Sequence, residues 1–468
     1  MKLYNSLTNQ KEEFFVDGNT VRIYACGPTV YDFFHVGNGR SFLLFDTLRR
    51  YLIFKGYKVL YVQNFTDVDD KMIRRAKEEN ATVAKVAEKY IQEYFTDARG
   101  LNILDATTHP RATEIIPAII ALIQDLLKAG HAYESNGDVY FRVRSFPQYG
   151  TFLLKQSLED LESGARVDVS EIKEDALDFA LWKASKPGEP AWDSPWGKGR
   201  PGWHIECSAM AKQYLGKTID IHCGGHDLKF PHHENEIAQS QCANGCTFAR
   251  FWFHVGFVNV NNEKMSKSKH NFFTVRDLAR IYGYLPIRYF AVSAHYRNPI
   301  NYEPDILEQA KTSMERIHNC RTNLDFAAEN GNDGALNSEQ EALLTEFAVF
   351  RKRFIEEMDD DLNTANGLAV IFDMIRKINT AITEPRPKEF CLALKRQLDE
   401  LLNVLGLVQE ETKIDLDEAQ IETLIARRQA ARKEKNYTEA DAIRGQLAEM
   451  GVILEDTPAG VRWKKEQK

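Results

Sequence analysis

Apolar positions change rhythm along the chain, and each change marks a different kind of element. Val21-Arg22-Ile23-Tyr24-Ala25-Cys26 is a short, nearly continuous apolar run that predicts a buried strand, whereas from about Arg40 to Phe54 the apolar residues recur at helical spacing. Tyr57 to Val62 predicts the next strand and Asp69 to Glu79 another helix. Strand, helix, strand in that order is the pattern of a doubly wound parallel sheet with right-handed crossovers, so the first half reads as α/β. Beyond the turn-rich linker Glu329-Asn330-Gly331-Asn332-Asp333-Gly334 only helical periods remain. Leu343, Phe347, Phe350, Phe354 and Met358 lie three or four residues apart, on one face of a helix.

Proline and glycine punctuate this pattern. The stretch from Ser185 to Trp203, with Lys186-Pro187-Gly188-Glu189-Pro190 and Gly199-Arg200-Pro201-Gly202, breaks regular structure and predicts a loop over or beside a site, or a simple domain connector. Together with Glu384-Pro385-Arg386-Pro387 and the acidic connector from Glu410 to Glu418, these breaks set the expected domains. Residues 1–111 form the first half of a Rossmann-like catalytic domain, 112–184 an insertion, and 185–245 the second catalytic half. Residues 246–327 follow, then a helical bundle over 328–408 and a small C-terminal domain over 409–468.

Composition narrows the function classes. Of 468 residues 43% are apolar and 27% charged, which suits globular domains with large cores. Lys plus Arg number 60 against 68 Asp plus Glu, a net charge of −8, which argues against wholesale adhesion to nucleic acid by field strength. Any such contact is therefore local, and the last segment from Ile421, with ten basic and eight acidic residues, is the mildly basic place for it. No apolar run is long enough for a bilayer and the start carries no signal-type stretch, so a cytoplasmic protein without membrane contact is expected, and a monomer. Seven scattered cysteines are too few for a disulfide framework and predict free thiols or metal ligands.

Three stretches invite a phosphate-binding reading. Leu215-Gly216-Lys217-Thr218 lacks the earlier glycine of a P-loop, since Ala211 stands there. Gly37-Asn38-Gly39-Arg40-Ser41-Phe42 has Phe42 in place of the third glycine of a dinucleotide fingerprint, so nicotinamide binding is not expected. What remains there is a phosphate-sized opening at a helix N-terminus, lined by His35 and Asn38. Lys264-Met265-Ser266-Lys267-Ser268 follows Asn261-Asn262-Glu263 in what reads as a flexible stretch, and two lysines spaced by small residues can face charge that builds up as a triphosphate breaks. In this order, on either side of a doubly wound sheet, His35-Val36-Gly37-Asn38 and Lys264 to Ser268 resemble the HIGH and KMSKS signatures of class I aminoacyl-tRNA synthetases. The second matches at every position, while the first departs at Val36 and at Asn38, which keeps a donor but no charge.

Soft metal ligands lie at Cys26 and among Cys207, His222, Cys223, His226, His232, His233, Glu236, Cys242 and Cys246. Spacing alone permits two sets: His232 or His233 with Cys242-x-x-x-Cys246, or Cys26 and Cys207 with His232 and Glu236 one helical turn apart. The longer strings Tyr24-Ala25-Cys26-Gly27-Pro28-Thr29-Val30-Tyr31, Phe65-Thr66-Asp67-Val68-Asp69-Asp70-Lys71, Arg200-Pro201-Gly202-Trp203-His204-Ile205-Glu206-Cys207-Ser208, Phe230-Pro231-His232-His233-Glu234-Asn235-Glu236 and Asp359-Asp360-Asp361-Leu362-Asn363-Thr364 are similar to cysteinyl-tRNA synthetases. That resemblance spans essentially the whole chain, and the departures are Cys223 in an Asp-Ile-His-x-Gly-Gly run and Lys269-His270 after the second signature.

The resemblance implies one zinc ion per chain on Cys26, Cys207, His232 and Glu236, with ATP and Mg²⁺ as substrate. It implies ligation of L-cysteine to tRNA(Cys) through an adenylate, with Trp203, Thr66 and His222 around the amino acid. Gly37, Gly224, Gly225, Asp227 and Lys267 fall at the nucleotide, and His35, Asn38, Lys264 and Lys267 carry catalysis. Arg432, Tyr437, Asp441, Asp456 and Trp463 offer stacking planes and base-edge partners for the tRNA. The rival readings are a cysteine ligase of the mycothiol-pathway type acting on a small amine, and a catalytically silent tRNA-binding protein.

Overall fold

The computed structural model describes residues 1–164, 173–265, 271–408, 418–433, 436–449, 452–457 and 460–465. A hairpin of β1 (Lys2–Asn5) and β2 (Gln10–Glu13) precedes β3 (Thr20–Ala25), which leads into α1 (Val36–Phe54) and returns through β4 (Lys58–Gln63), parallel to β3. His35 starts α1 by accepting the Asn38 N–H at 3.2 Å, a side-chain cap at the helix N-terminus. Two helices follow, α2 (Asp70–Glu78) and α3 (Val83–Gly100), begun by Asp69 and Thr82 in the same way.

The insertion holds α4 (Ile116–Lys128), β5 (Ala132–Ser135), β6 (Asp138–Phe141), α5 (Leu158–Gly164) and β7 (Phe179–Ala184). Its antiparallel sheet takes a fourth strand, β8 (Gly199–Pro201), from beyond the expected boundary at 184. The stretch from Ser185 to Trp203 is thus a loop closed by a short edge strand. The chain re-enters the central sheet through α6 (Trp203–Leu215), β9 (Ile219–Gly225), α7 (His232–Asn244) and β10 (Ala249–Val255). Gly216 of the rejected P-loop ends α6 instead of opening a helix.

The central sheet has the order β10-β9-β3-β4 and is parallel throughout, so β10 belongs to it although it lies past residue 245. Its strands are buried on both faces, which explains their continuous apolar runs. A three-stranded sheet of β11 (Val258–Val260), β12 (Glu263–Lys264) and β13 (Ile300–Tyr302) follows, with α8 (Val275–Tyr282) and α9 (Tyr284–Val292) between its second and third strands in sequence. Asn261 and Asn262, at φ 49° and 64°, form the turn of the β11–β12 hairpin, which places Lys264 in a strand; Ser266 to Ser268, the rest of the stretch expected to be flexible, lie outside the described residues. Asparagine tolerates left-handed backbone at paired turn positions, so the two residues are a hairpin signal.

The remaining helices are α10 (Pro304–Glu329), α11 (Ser338–Asp359), α12 (Thr364–Ala381), α13 (Lys388–Leu405), α14 (Glu418–Lys433) and α15 (Tyr437–Glu449), followed by the hairpin β14 (Val452–Thr457) and β15 (Gly460–Lys465). One compact unit comprises residues 1–314, 350–372 and 401–407, and a second comprises 315–349, 373–400 and 408–468. Phe347, Phe350, Phe354 and Met358 are buried, as their spacing requires, while Leu343, the first residue of that face, is only half-buried. Among the described residues no helix is long and apolar enough to cross a membrane. All seven cysteines are free.

Candidate active site and metal centre

The chain leaves β3 in one direction to build β4 and returns on its other side to build β9, so the order of connections reverses between β3 and β9. Open parallel sheets bind ligands outside the carboxyl ends of their strands at such a point. Cys26 follows the end of β3, and its N–H donates to the Cys223 carbonyl at 3.1 Å. Gly27 comes next, where a Cβ would fall 1.6 Å from the Asn64 carbonyl oxygen, so only glycine lets β3 turn there.

Around Cys26 the fold gathers an unusual amount of buried polarity. From His232 to Ser240 every residue of α7 is buried, although the run includes two histidines, two glutamates, Asn235, Gln239 and Ser240. Such a helix needs polar partners on several sides. Glu234 accepts the Gly150, Phe152 and Leu153 N–H groups, and Asn235 accepts the Tyr149 hydroxyl. His232 and Glu236 point to one side, Nε2 to Oε1 at 3.1 Å, and the second Glu236 oxygen lies 2.9 Å from His222 Nε2.

The ligand atoms of Cys26, Cys207, His232 and Glu236 lie within 4.8 Å of one another, all four residues being buried. Cys26 Sγ is 3.6 Å from Glu236 Oε1. Edges of about 3.3–3.8 Å are what a tetrahedral site with bonds of 2.0–2.3 Å requires, and two thiols with an imidazole and a carboxylate are donors suited to zinc. The residues therefore fit the ion. A second set, Cys26, His222, His233 and Glu236, meets the same distance test. In the first, the one ring is fixed by a 2.9 Å hydrogen bond between His232 Nδ1 and His204 Nδ1; in the second, His233 Nδ1 is held by His254 at 2.8 Å but His222 Nδ1 is buried without a partner, so only the first set has every ring supported. Cys242 and Cys246, the local alternative, belong to neither set.

The charges of this group are strongly coupled. Burial opposes the Glu236 carboxylate, but His222 and His232 outweigh it and hold it at about 2. The Cys207 thiol falls to about 6, chiefly through a hydrogen bond with Cys26. Burial opposes a charge on His232, but Glu236 and Cys207 outweigh it and raise the imidazole to about 10, so the buried anions are balanced here by its proton.

Beside the centre opens a cavity of about 550 Å³, bordered by Trp203, His204, Glu206, Arg200 and Lys183. Trp203 is 40% exposed, with its ring centroid 4.4 Å from that of His232, so it walls the approach to the metal donors. Thr66 donates to Glu206 at 2.8 Å. His222 is buried and stacks on Trp252, 4.4 Å between centroids. Cys223 is fully buried in β9, which accounts for it as a small apolar residue.

The two signature stretches meet at the start of α1. A Cβ placed on Gly37 would stand 3.0 Å from the His35 ring and 3.5 Å from Met265 Cε, so the second signature approaches the first at its glycine. Asn38 is half-buried in the first turn. Lys264 lies in β12, paired with Asn259, while Lys267 falls outside the described residues. Gly224 faces His233, where a Cβ would meet the ring at 2.2 Å; Gly225 precedes the exposed Asp227. In the second unit Tyr437 is 61% exposed, and Arg432 and Asp441 are exposed as well. Trp463 packs with Leu454 against the small core of Ile421, Leu424, Ile425, Ile443 and Leu447, and donates to Glu422 at 3.0 Å. Asp456 lies in β14, and its side chain is outside the described set.

Two participants escape sequence reasoning. His254 on β10 bonds His233 at 2.8 Å, and the signal for it was a histidine inside the otherwise apolar Phe251-Trp252-Phe253-His254-Val255. Asn64 holds the Gly27 N–H at 2.9 Å, and nothing in its local sequence marks it.

Comparison with known proteins identifies the family. Residues 13–312 match the family model described as tRNA synthetases class I (C) catalytic domain, 353–409 match the DALR domain, and 415–463 match the cysteinyl-tRNA ligase anticodon binding domain. Similar solved structures include a Mycobacterium tuberculosis methionyl-tRNA synthetase in complex with methionyl-adenylate, 16% identical, with TM-score 0.60, covering 83% of this chain and 90% of that one. Another is the Agrobacterium radiobacter LeuRS in a ternary complex with tRNA and LeuAMS, 11% identical, with TM-score 0.60, covering 97% of each chain. At these identities the structures speak for the fold, and the family models, which cover most of the chain, decide the rest. The chain belongs to the class I cysteinyl-tRNA synthetases, the cysteine–tRNA ligases.

Proposed function

We propose that the chain charges tRNA(Cys) in the cytoplasm through a cysteinyl-adenylate, and that zinc on Cys26, Cys207, His232 and Glu236 sorts cysteine from serine. The observation that carries this reading is the buried two-thiol, imidazole and carboxylate set at the switch point of the sheet, one short loop upstream of the His35 signature. When bound, zinc supplies a soft Lewis-acidic centre that favours thiolate over alcohol, where an apolar slot separates near-isosteres by only about 1–3 kcal/mol.

The chain's own groups do the rest. His204 orients His232, and His222 holds the second oxygen of Glu236. Trp203 walls the cavity, and Thr66, whose hydroxyl donates to Glu206 at 2.8 Å, binds the amino acid. Gly224, Gly225 and Asp227 bind the adenosine. The cysteine carboxylate attacks the α-phosphorus of ATP and pyrophosphate leaves, with His35, Asn38, the positive end of the α1 dipole, Lys264, Lys267 and Mg²⁺ facing the developing charge. A ribose hydroxyl of the tRNA end then attacks the adenylate carbonyl and AMP leaves. No side chain of the protein serves as nucleophile. The match of residues 415–463 to an anticodon-binding domain supports tRNA as acceptor over a small amine.

The test is cysteine-dependent ATP–pyrophosphate exchange with serine in parallel. Exchange is expected with cysteine, at least about 100-fold less with serine, and loss on chelation with recovery on adding zinc. Equal rates for the two amino acids, or full activity in metal-free protein, overturn the reading. On the tRNA side, Tyr437→Ala is expected to raise KM for tRNA about 5- to 100-fold, the value of one lost base stack, with pyrophosphate exchange unchanged. Unaltered aminoacylation kinetics would remove Tyr437 from the interface.

A further inference from the structure

Arg40, in the second turn of α1, is 2% exposed, and its partners are carbonyls rather than a carboxylate. Nη1 donates to the carbonyls of Gly256 at 2.8 Å and Phe257 at 2.9 Å; Nη2 donates to those of His295 at 3.2 Å and Asn298 at 2.7 Å. Burying a guanidinium without a counter-charge is costly, and an apolar side chain of the same length fills that volume more cheaply. What the guanidinium adds is a planar fork that fixes four acceptors at once.

The four acceptors stand at the roots of two strands. Gly256 and Phe257 run into β11 and so into the hairpin that ends at Lys264, and the segment 295–298 runs into β13, the parallel partner of β11. Gly256 N–H donates to the Tyr296 carbonyl, and Ile300 N–H to that of Phe257, both at 2.9 Å, so the two segments form one base. On the far side of the lysine signature the chain returns to α1 again: the Val36 N–H donates to the Phe273 carbonyl and the Val275 N–H to that of Phe34, both at 3.1 Å. Arg40 thus supplies the entry attachment, and the backbone pairing at Val36 supplies the exit.

We propose that Arg40 is a positioning residue for adenylate formation, which sets the spacing between the His35 signature and the Lys264 signature by locking the hairpin base to α1. This rests on the reading that both signatures act on ATP. Groups facing a developing charge lose much of their effect when displaced by about 1 Å. An apolar or ammonium side chain at position 40 preserves the fold's volume but not the four directions.

The experiment compares full-length parent, Arg40→Lys, Arg40→Met and Gly256→Ala. In the last, a Cβ falls 2.6 Å from the Asn298 carbonyl oxygen and spreads the same base with Arg40 intact. The readouts are pyrophosphate exchange per titrated active site, KM for cysteine and for ATP, metal content, and hydrogen exchange of amides 256–264. Expected in all three variants are a kcat loss of about 100-fold, a cysteine KM within about twofold of the parent, parental metal content and faster amide exchange over 256–264. A kcat per site within about threefold of the parent in the folded variants overturns the proposal, even where thermal stability falls. If the parent itself shows no cysteine-dependent exchange, the functional reading fails; the positioning link is then decided by the amides alone, and parental exchange rates over 256–264 overturn it.

Discussion

On the proposed zinc reading, Cys207→Ser is expected to abolish metal binding and to lower kcat/KM for cysteine in pyrophosphate exchange by about 10³-fold or more, beyond the 10- to 100-fold usual for groups that only orient a ligand. Cys207 stands on α6 with 2% exposure, and its sulfur is one of four donors within a mutual 4.8 Å. Serine keeps nearly the same shape, so packing is preserved and the loss isolates the donor chemistry: an alcohol stays protonated where the thiol gives up its proton. His204→Gln provides the graded comparison. His204 touches no other donor but bonds His232 Nδ1, and its replacement is expected to cost about 10- to 100-fold with partial metal retention. The order Cys207→Ser below His204→Gln below parent, in both metal content by elemental analysis and kcat/KM, is the expected pattern. Full metal content in Cys207→Ser, with activity retained, would transfer the centre to the set of Cys26, His222, His233 and Glu236.

The elements that bear this centre differ in how plainly the sequence announced them. β3, β4 and α1 carry their own periods, and α1 has a capping histidine, so local chemistry predicts them. α7 does not: its buried stretch is almost wholly polar, and hydrophobic periodicity is silent about a helix whose neighbours are hydrogen-bond partners. His232 and Glu236 were legible by their i, i+4 spacing together with the resemblance, whereas Asn64 and His254 act through contacts made only after distant strands align. The fourth strand of the insertion's sheet, past residue 184, was hidden for a related reason. β8 is three residues long and follows a proline- and glycine-rich loop, so only pairing with β7 reveals it as part of the sheet. Asn261 and Asn262 were present as a turn signal, but the polar lysine-rich stretch after them carries no alternation to mark the hairpin.

Asp46→Ala is expected to cost about 3–5 kcal/mol of stability, the usual penalty for removing one partner of a buried ion pair. Asp46 lies in α1 at 2% exposure; its Oδ2 receives Arg288 Nη2 at 2.6 Å and Arg50 Nε at 2.7 Å, and Oδ1 receives the Leu104 N–H at 3.0 Å. Arg288, fully buried in α9, also donates to the carbonyls of Leu101, Asn102 and Leu405, so its position is fixed before Asp46 is counted. Alanine therefore leaves a buried cation and a backbone donor uncompensated. Arg288→Met in the Asp46→Ala background removes that cation, and part of the loss is expected to return, giving a coupling between the two sites in a urea-midpoint cycle. The pH dependence follows from the sign of the shift. Burial opposes the Asp46 charge, but Arg288 and Arg50 outweigh it and hold the carboxyl below its ordinary value. A carboxyl depressed in the folded state contributes stability that is present above its unfolded pKa of about 3.9 and is lost as pH falls through the folded value. The gap between parent and Asp46→Ala is thus expected to be level from pH 5 to 8 and to shrink below about pH 4. A gap that widens in acid, or additive losses in the double variant, would show that Asp46 is held there by packing and not by its charge.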